Sequence, residues 1–367
     1  MTGPLQEAHD QHPDTGLPSL WNAVDDLIDR FDDDAACEHG LGPLAARRRR
    51  ALGQTLSRRL AREERAAATS NLVAPTLLAR ARAAYDGPLV LLKGPELSRR
   101  YPDRARRFGD LDLLPGDAEE AQAALLAAGF RLQDRDWPPE FYDDVLRPHY
   151  HLHPLEWPGL ALRIEIHKHV KWPDGLTPPP NREIFEAAVP AGVGVDGLLT
   201  PNPIHHAVLL ASHAWGEIPM RRIRELVDVM AFVGDSERAS FSLAARNWGL
   251  ERGWKTLLDV ADWLFDGGST PLSLRTWARY LRDMREPTVA EMHVQEWLSP
   301  FWMARPSTAV RLSAAAVTRD FRPAMGQTWG DKLRRILKSL SHPLSPKSEH
   351  ERRTGGGRWR PGKRTPE

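Results

Sequence analysis

The stretch 89–116 constrains this chain more than any other, because two short apolar runs flank a glycine turn and the second run carries two aspartates. Leu89-Val90-Leu91-Leu92 has the length and composition of a buried strand. Lys93-Gly94-Pro95 ends it and opens a short helix, with Pro95 at a first helical position. Phe108-Gly109-Asp110-Leu111-Asp112-Leu113-Leu114 reads as a second strand, cut short by Pro115-Gly116. Alternate residues of a strand share a face, so Asp110 and Asp112 point one way while Leu111 and Leu113 enter the core. Two carboxylates on one face, beside a glycine-broken turn, suit a divalent metal held against a phosphate chain. Hard cations such as Mg²⁺ take carboxylate oxygen and keep room for substrate phosphates.

Beyond this pair, Asp117–Ala128 predicts a helix with Asp117 as N-cap, Glu120 as its capping-box partner and Gly129 as the stop. Phe130-Arg131-Leu132 starts another strand, and 134–148 reads as a loop or short helix over the site. His149–Trp157 and Leu160–Val170 alternate on either side of Pro158-Gly159, the pattern of a hairpin. In its second strand Leu162, Ile164 and Ile166 share one face, and Arg163, Glu165 and His167 share the other.

Lys93-Gly94, Tyr101-Pro102, Arg106, Gly109-Asp110-Leu111-Asp112, Leu113-Leu114 and Gly129-Phe130 occur in an order that resembles the uncharacterised nucleotidyltransferase family of the DNA polymerase β-like superfamily. The likeness runs from about residue 40 to about 235 and is strongest over 89–170. It implies an α+β fold, with a small mixed β-sheet core flanked by N-terminal helices and a C-terminal helical domain. It implies that Asp110, Asp112 and, as the third carboxylate, Glu165 are catalytic and bind Mg²⁺ or Mn²⁺. The family's acidic residue followed two places later by His matches Glu165 and His167. Lys93, Gly94, Arg106 and Gly109 become nucleotide-binding candidates, for a nucleoside triphosphate with ATP as the first expectation. One departure stands out. The superfamily's Gly-Ser at the first strand's end is Lys93-Gly94 here, which removes a serine hydroxyl from the phosphates and leaves Lys93 to supply charge.

The rest of the chain frames this core. Residues 1–18 are polar and read as disordered, and 19–85 as a helical segment. Within that segment Asp32-Asp33-Asp34 reads as a solvated helix end, residues 43–85 as two helices, and Arg47–Arg50 as a wet face paired in part with Glu63 and Glu64. The nucleotidyltransferase-like α/β core spans 86–190, and a Pro- and Gly-rich boundary, with a helical stretch near Arg182–Ala188, leads to a helical domain at 200–340. Two helices are expected between Ile204 and Val233, broken at Gly216–Pro219. Arg224 and Asp228 stand one turn apart there and can pair. His206 and His213 share a face, as buried hydrogen-bonded histidines or as substrate-facing groups. The tryptophans over 240–340 read as core packing, and the basic amphipathic stretch Trp329–Leu340 as packed on the helical domain rather than lying on an anionic membrane. Residues 341–367 form a basic tail of disordered composition.

Net charge of +1 argues against a nucleic-acid wrapper, so the acceptor expected is the hydroxyl of a small molecule, peptide or protein, with natural-product tailoring suggested by the resemblance. A single cysteine, Cys37, excludes an intrachain disulfide and a cysteine zinc site and fits a reducing compartment. With no apolar run long enough to span a bilayer and no signal pattern, the expectation is a cytoplasmic protein without integral membrane contact. Two other classes remain open. One is a non-catalytic partner that keeps the fold. The other is a zinc hydrolase built on His149, His151, His153, His167 and His169.

Overall fold

The computed structural model describes residues 18–133, 150–216, 218–233, 238–285, 287–323 and 328–339, with side chains from Leu20 to Arg334. The disorder expected at both ends, the segment 134–148 and His149 lie outside these residues, except that Pro18 opens the first helix.

Helices Pro18–Ile28, Asp33–Glu38, Gly42–Ala51 and Arg58–Ala84 come first. The Asp32–Asp34 run starts a helix rather than ending one. Asp32 Oδ1 accepts from Ala35 N at 2.7 Å, and Asp33 and Asp34 occupy the first turn, where negative charge meets the positive end of the helix. The four arginines fan out because successive helical residues point about 100° apart. Arg50 pairs with Glu64 as expected, at 2.6 Å, whereas Arg48 and Arg49 turn to Asp29 and Arg47 to Asp25. Glu63 instead takes Arg107, at 2.7 Å.

Strands β1 (Leu89–Leu91), β2 (Asp110–Pro115), β3 (Arg131–Leu132), β4 (Leu155–Glu156), β5 (Arg163–Ile166), β6 (Val189–Pro190) and β7 (Leu199–Thr200) form a mixed sheet. Their order is β3-β4-β5-β2-β1-β7-β6. The α+β class expected from the sequence is the class observed. β2 runs antiparallel to β1 and parallel to β5, and this second register places Asp110 opposite Arg163 and Asp112 opposite Glu165. Pro115 does not cut β2 short; it is the last strand residue, opposite Leu89. β5 has already ended opposite Leu113, so the N–H that Pro115 lacks would have had no ladder partner there. The hairpin forms as β4 against β5, shorter than the alternation suggested, and extends only as an isolated bridge between His151 and His167.

Each face of the sheet has its own core. On one, Leu89, Leu91, Leu111, Leu113, Ile164 and Ile166 pack on Leu77 and Leu78 of the long helix and on the helix Ala118–Ala127. Asp117 caps that helix by accepting from Glu120 N at 2.8 Å, and Gly129 ends it at φ +103°. On the other face Val90, Leu92 and Leu114 join a larger core. It draws on the first three helices and on the helices Pro203–Trp215, Ile223–Met230 and Glu251–Asp266. Helices from the two ends of the chain therefore share one interior, and the sheet is their common floor.

Trp248, Trp254 and Trp277 are buried in that interior. The helix Trp329–Ser339 forms, with Trp329 68% and Leu333 58% exposed; the other apolar side chains of the stretch, Ile336, Leu337 and Leu340, lie outside the described residues. Among the described residues no helix is long and apolar enough to cross a membrane.

Candidate active site

Along β2 the face turned toward the C-terminal helices changes character. Leu114 is covered by them, Asp112 sits at the rim of that cover with 4% exposure, and the Asp110 side chain is 36% exposed. Parallel pairing sets the Glu165 carboxylate beside Asp112 on the same face. The strand edge thus ends in three carboxylates, with Lys93 Nζ 3.6 Å from Asp112 Oδ2 and His167 Nε2 donating to Asp112 Oδ1 at 2.8 Å. Ligand atoms of Asp112, Glu165 and His167 all lie within 4.8 Å of one another. Arg163 and His151 reach Glu165 from either side, at 3.3 and 3.8 Å.

The two inner carboxylates are driven apart electrostatically. Burial would raise the Asp112 carboxyl, but Lys93, then His167 and His213, outweigh it and hold that group well below the usual carboxylate range. Burial and the neighbouring Asp112 and Asp110 charges push the Glu165 carboxyl up to about 7, against the pull of Arg163 and Lys93. Like charges crowded in this way, with oxygen ligands converging, fit a divalent cation: the donor set is hard, and a cation relieves the repulsion that raises Glu165.

Gly94 is required by its backbone. It adopts φ +84°, ψ −126°, a region that essentially only glycine enters, and a Cβ there would lie 3.1 Å from Leu111 Cδ2. The Lys93-Gly94 turn can therefore lie flat on β2 and deliver the lysine to Asp112. Gly109 has no such demand: a Cβ there meets nothing within 4 Å. Beyond the carboxylates a small cleft is lined by Leu92, Lys93, His167, Lys171, Leu210 and His213.

A family model for an uncharacterised nucleotidyltransferase matches residues 33–266, well over half of the chain. The chain belongs to this family. No curated protein and no solved structure matches it. The matched span takes in the sheet, the long N-terminal helix and the first helices that close on the sheet from the C-terminal side.

Several sequence-derived candidates lie elsewhere in the nucleotidyltransferase. Arg106 is 6% exposed, and its Nε and Nη2 donate to both oxygens of Asp228 at 2.7 and 2.8 Å. Tyr101 O–H donates to the same carboxylate. Arg106 thus joins the segment between β1 and β2 to the helix Ile223–Met230 with two of its five N–H donors. Asp228 takes these partners instead of the expected Arg224. His206 is 1% exposed against the Phe232 ring, and burial pushes its imidazole down to about 3. That is the buried histidine of the two alternatives. His213, two turns further along the same helix, reaches the cleft beside Lys93.

The histidine-rich hairpin does not make a zinc site among the described residues. His151 and His167 lie with ring centroids 5.8 Å apart, but the ligand atoms that converge with His167 are those of Asp112 and Glu165 rather than of further histidines. The sequence reading passed over Arg163 and His151 as site neighbours. Alternation placed Arg163 on the Glu165 face, but only the β2–β5 register reveals that Asp110 lies opposite it.

Proposed function

We propose that this nucleotidyltransferase uses Mg²⁺ or Mn²⁺ and a nucleoside triphosphate, ATP first among them, to transfer a nucleoside monophosphate to a hydroxyl of a small molecule, peptide or protein. The observation that carries the proposal is the parallel β2–β5 register, which sets Asp112 against Glu165 with Asp110 two residues away on the same face. When bound, the cation would offset negative charge on the carboxylates and on the phosphoryl oxygens as the α-phosphate is attacked.

The chain's own residues have distinct parts in this reaction. Asp110, Asp112 and Glu165 hold the cation. Lys93, delivered by the Gly94 turn, faces the phosphates and takes the place of the serine hydroxyl of the wider superfamily. Glu165 accepts the hydroxyl proton. It stands opposite Asp112 on the neighbouring parallel strand, on the face of the carboxylates that hold the cation. A net charge of +1 favours a small or peptidic acceptor over nucleic acid.

The test is calorimetric titration of each of the four nucleoside triphosphates, with and without Mg²⁺, into wild type and an Asp110→Ala/Asp112→Ala variant. Metal-dependent binding of at least one, lost in the variant, is the expected result. A folded wild-type protein that binds none of them under any condition overturns the proposal and favours a non-catalytic partner.

A further inference from the structure

The carboxylate face carries a cation of its own that the proposed reaction leaves unused. Arg163 precedes Glu165 by two residues on β5, so it shares the Glu165 face and stands opposite Asp110. Its Nη2 donates to Asp110 Oδ2 at 3.2 Å, and its Nε lies 3.3 Å from Glu165 Oε1. The guanidinium therefore reaches both Asp110 and Glu165, while Lys93 and His167 serve Asp112. Its hold is incomplete. The Nε contact to Glu165 is an ion pair without hydrogen-bond geometry, and the Arg163 side chain is 35% exposed, which gives it room to leave. His167, by contrast, is buried and fixed by its bond to Asp112.

A divalent cation that draws on Asp110 and Glu165 competes with Arg163 for their charge, and cannot sit beside a guanidinium without repulsion. A guanidinium released from these carboxylates carries a fork of donors that matches phosphate oxygens.

We propose that Arg163 occupies the cation position of the metal-free protein and moves to the phosphate chain when a divalent cation enters. This rests on the nucleotidyltransferase reading of the same site. Arg163 is a positioning residue in this scheme: it keeps Asp110 and Glu165 from repelling each other while the metal is absent, and ties metal entry to arrival of the triphosphate.

The experiment measures binding of Mn²⁺ alone by electron paramagnetic resonance, and of tripolyphosphate at saturating Mn²⁺ by calorimetry. Wild type, Arg163→Gln, Arg163→Met and Asp112→Asn are compared, with melting curves as the check on folding. The Gln and Met variants are expected to bind Mn²⁺ roughly tenfold more tightly and tripolyphosphate roughly tenfold more weakly than wild type, the size of one charge-assisted contact. A general loosening of the fold would weaken both. Equal Mn²⁺ affinity in wild type and both variants, with loss in Asp112→Asn, overturns the proposal and leaves the metal site standing. Tighter Mn²⁺ with unchanged tripolyphosphate binding overturns the move to phosphate. No Mn²⁺ binding by any of the proteins overturns this proposal together with the metal-dependent reaction.

Discussion

Two buried charge clusters lie between the sheet and the C-terminal helices, and they are built on opposite principles. Around Asp228 every charge is answered: Arg106 donates to both carboxylate oxygens, Tyr101 adds a third donor, and all three residues are no more than 6% exposed. Around Asp112 charges of one sign are gathered. Glu165 and Asp110 share its face, and the cations that reach them do so with longer or partial contacts. The Asp228 carboxyl ends up below its ordinary range because Arg106 outweighs burial, whereas burial and its like-charged neighbours push Glu165 up to about 7. A satisfied cluster has nothing left to offer a ligand and serves the fold. An unsatisfied one stores repulsion that a ligand can relieve.

The contrast can be broken most forcefully at the satisfied cluster. Arg106→Ala leaves Asp228 buried without its charge partner and is expected to cost about 3–5 kcal/mol, read as a shift in the urea midpoint at constant slope. A double Arg106→Met/Asp228→Leu variant, which removes both charges together, is expected to recover most of that loss. If Arg106→Ala unfolds at the wild-type midpoint, the joint is not the structural element described here.

The unsatisfied cluster should respond with the opposite sign. Between the unfolded value of 4.5 and about 7 the folded protein keeps a proton on Glu165 that the unfolded chain has lost. Stability contributed by this group is therefore present below pH 4.5 and falls as pH rises through about 7, by an amount on the order of 3 kcal/mol. Glu225 is also pushed up to about 7, mainly by burial, so the informative quantity is the difference between wild type and Glu165→Gln. Unfolding free energies at pH 5 and pH 8 should show the Gln variant gaining on wild type at the higher pH, and saturating Mg²⁺ should narrow the gap. Parallel pH curves for the two proteins would contradict this.

The smallest effect belongs to a charge pair outside both clusters. Arg107 meets Glu63 at 2.7 Å, but its side chain is 48% exposed, so water answers the charge almost as well as the partner does. Arg107→Ala is expected to leave the unfolding midpoint where it is, and a clear shift would show that exposure is not what separates a structural pair from an incidental one.

Much of the unsatisfied cluster was legible in the sequence because strand alternation is local. Asp110 and Asp112 on one face, Leu111 and Leu113 on the other, and Glu165 alternating with Ile164 and Ile166 all follow from a period of two. The cap at Asp117 and the stop at Gly129 are equally local. The satisfied cluster was not legible. Arg106 has Asp103 and Asp110 close by in sequence, and Asp228 has Arg224 one helical turn away, so nearest-neighbour reasoning pairs each of them wrongly. Their actual partnership crosses 122 residues.

The amino-acid sequence by itself determined which residues share a face, where helices start and stop, and that two apolar runs flank a glycine turn with two aspartates on the second. These follow from backbone geometry that acts over a few residues. Only the tertiary structure decided which faces meet. The β2–β5 register that opposes Asp112 to Glu165, the docking that buries Arg106 on Asp228, and the placing of Arg163 across Asp110 and Glu165 depend on burial and desolvation. Those energies are set by what lies nearby in space, and the linear order of residues does not carry them.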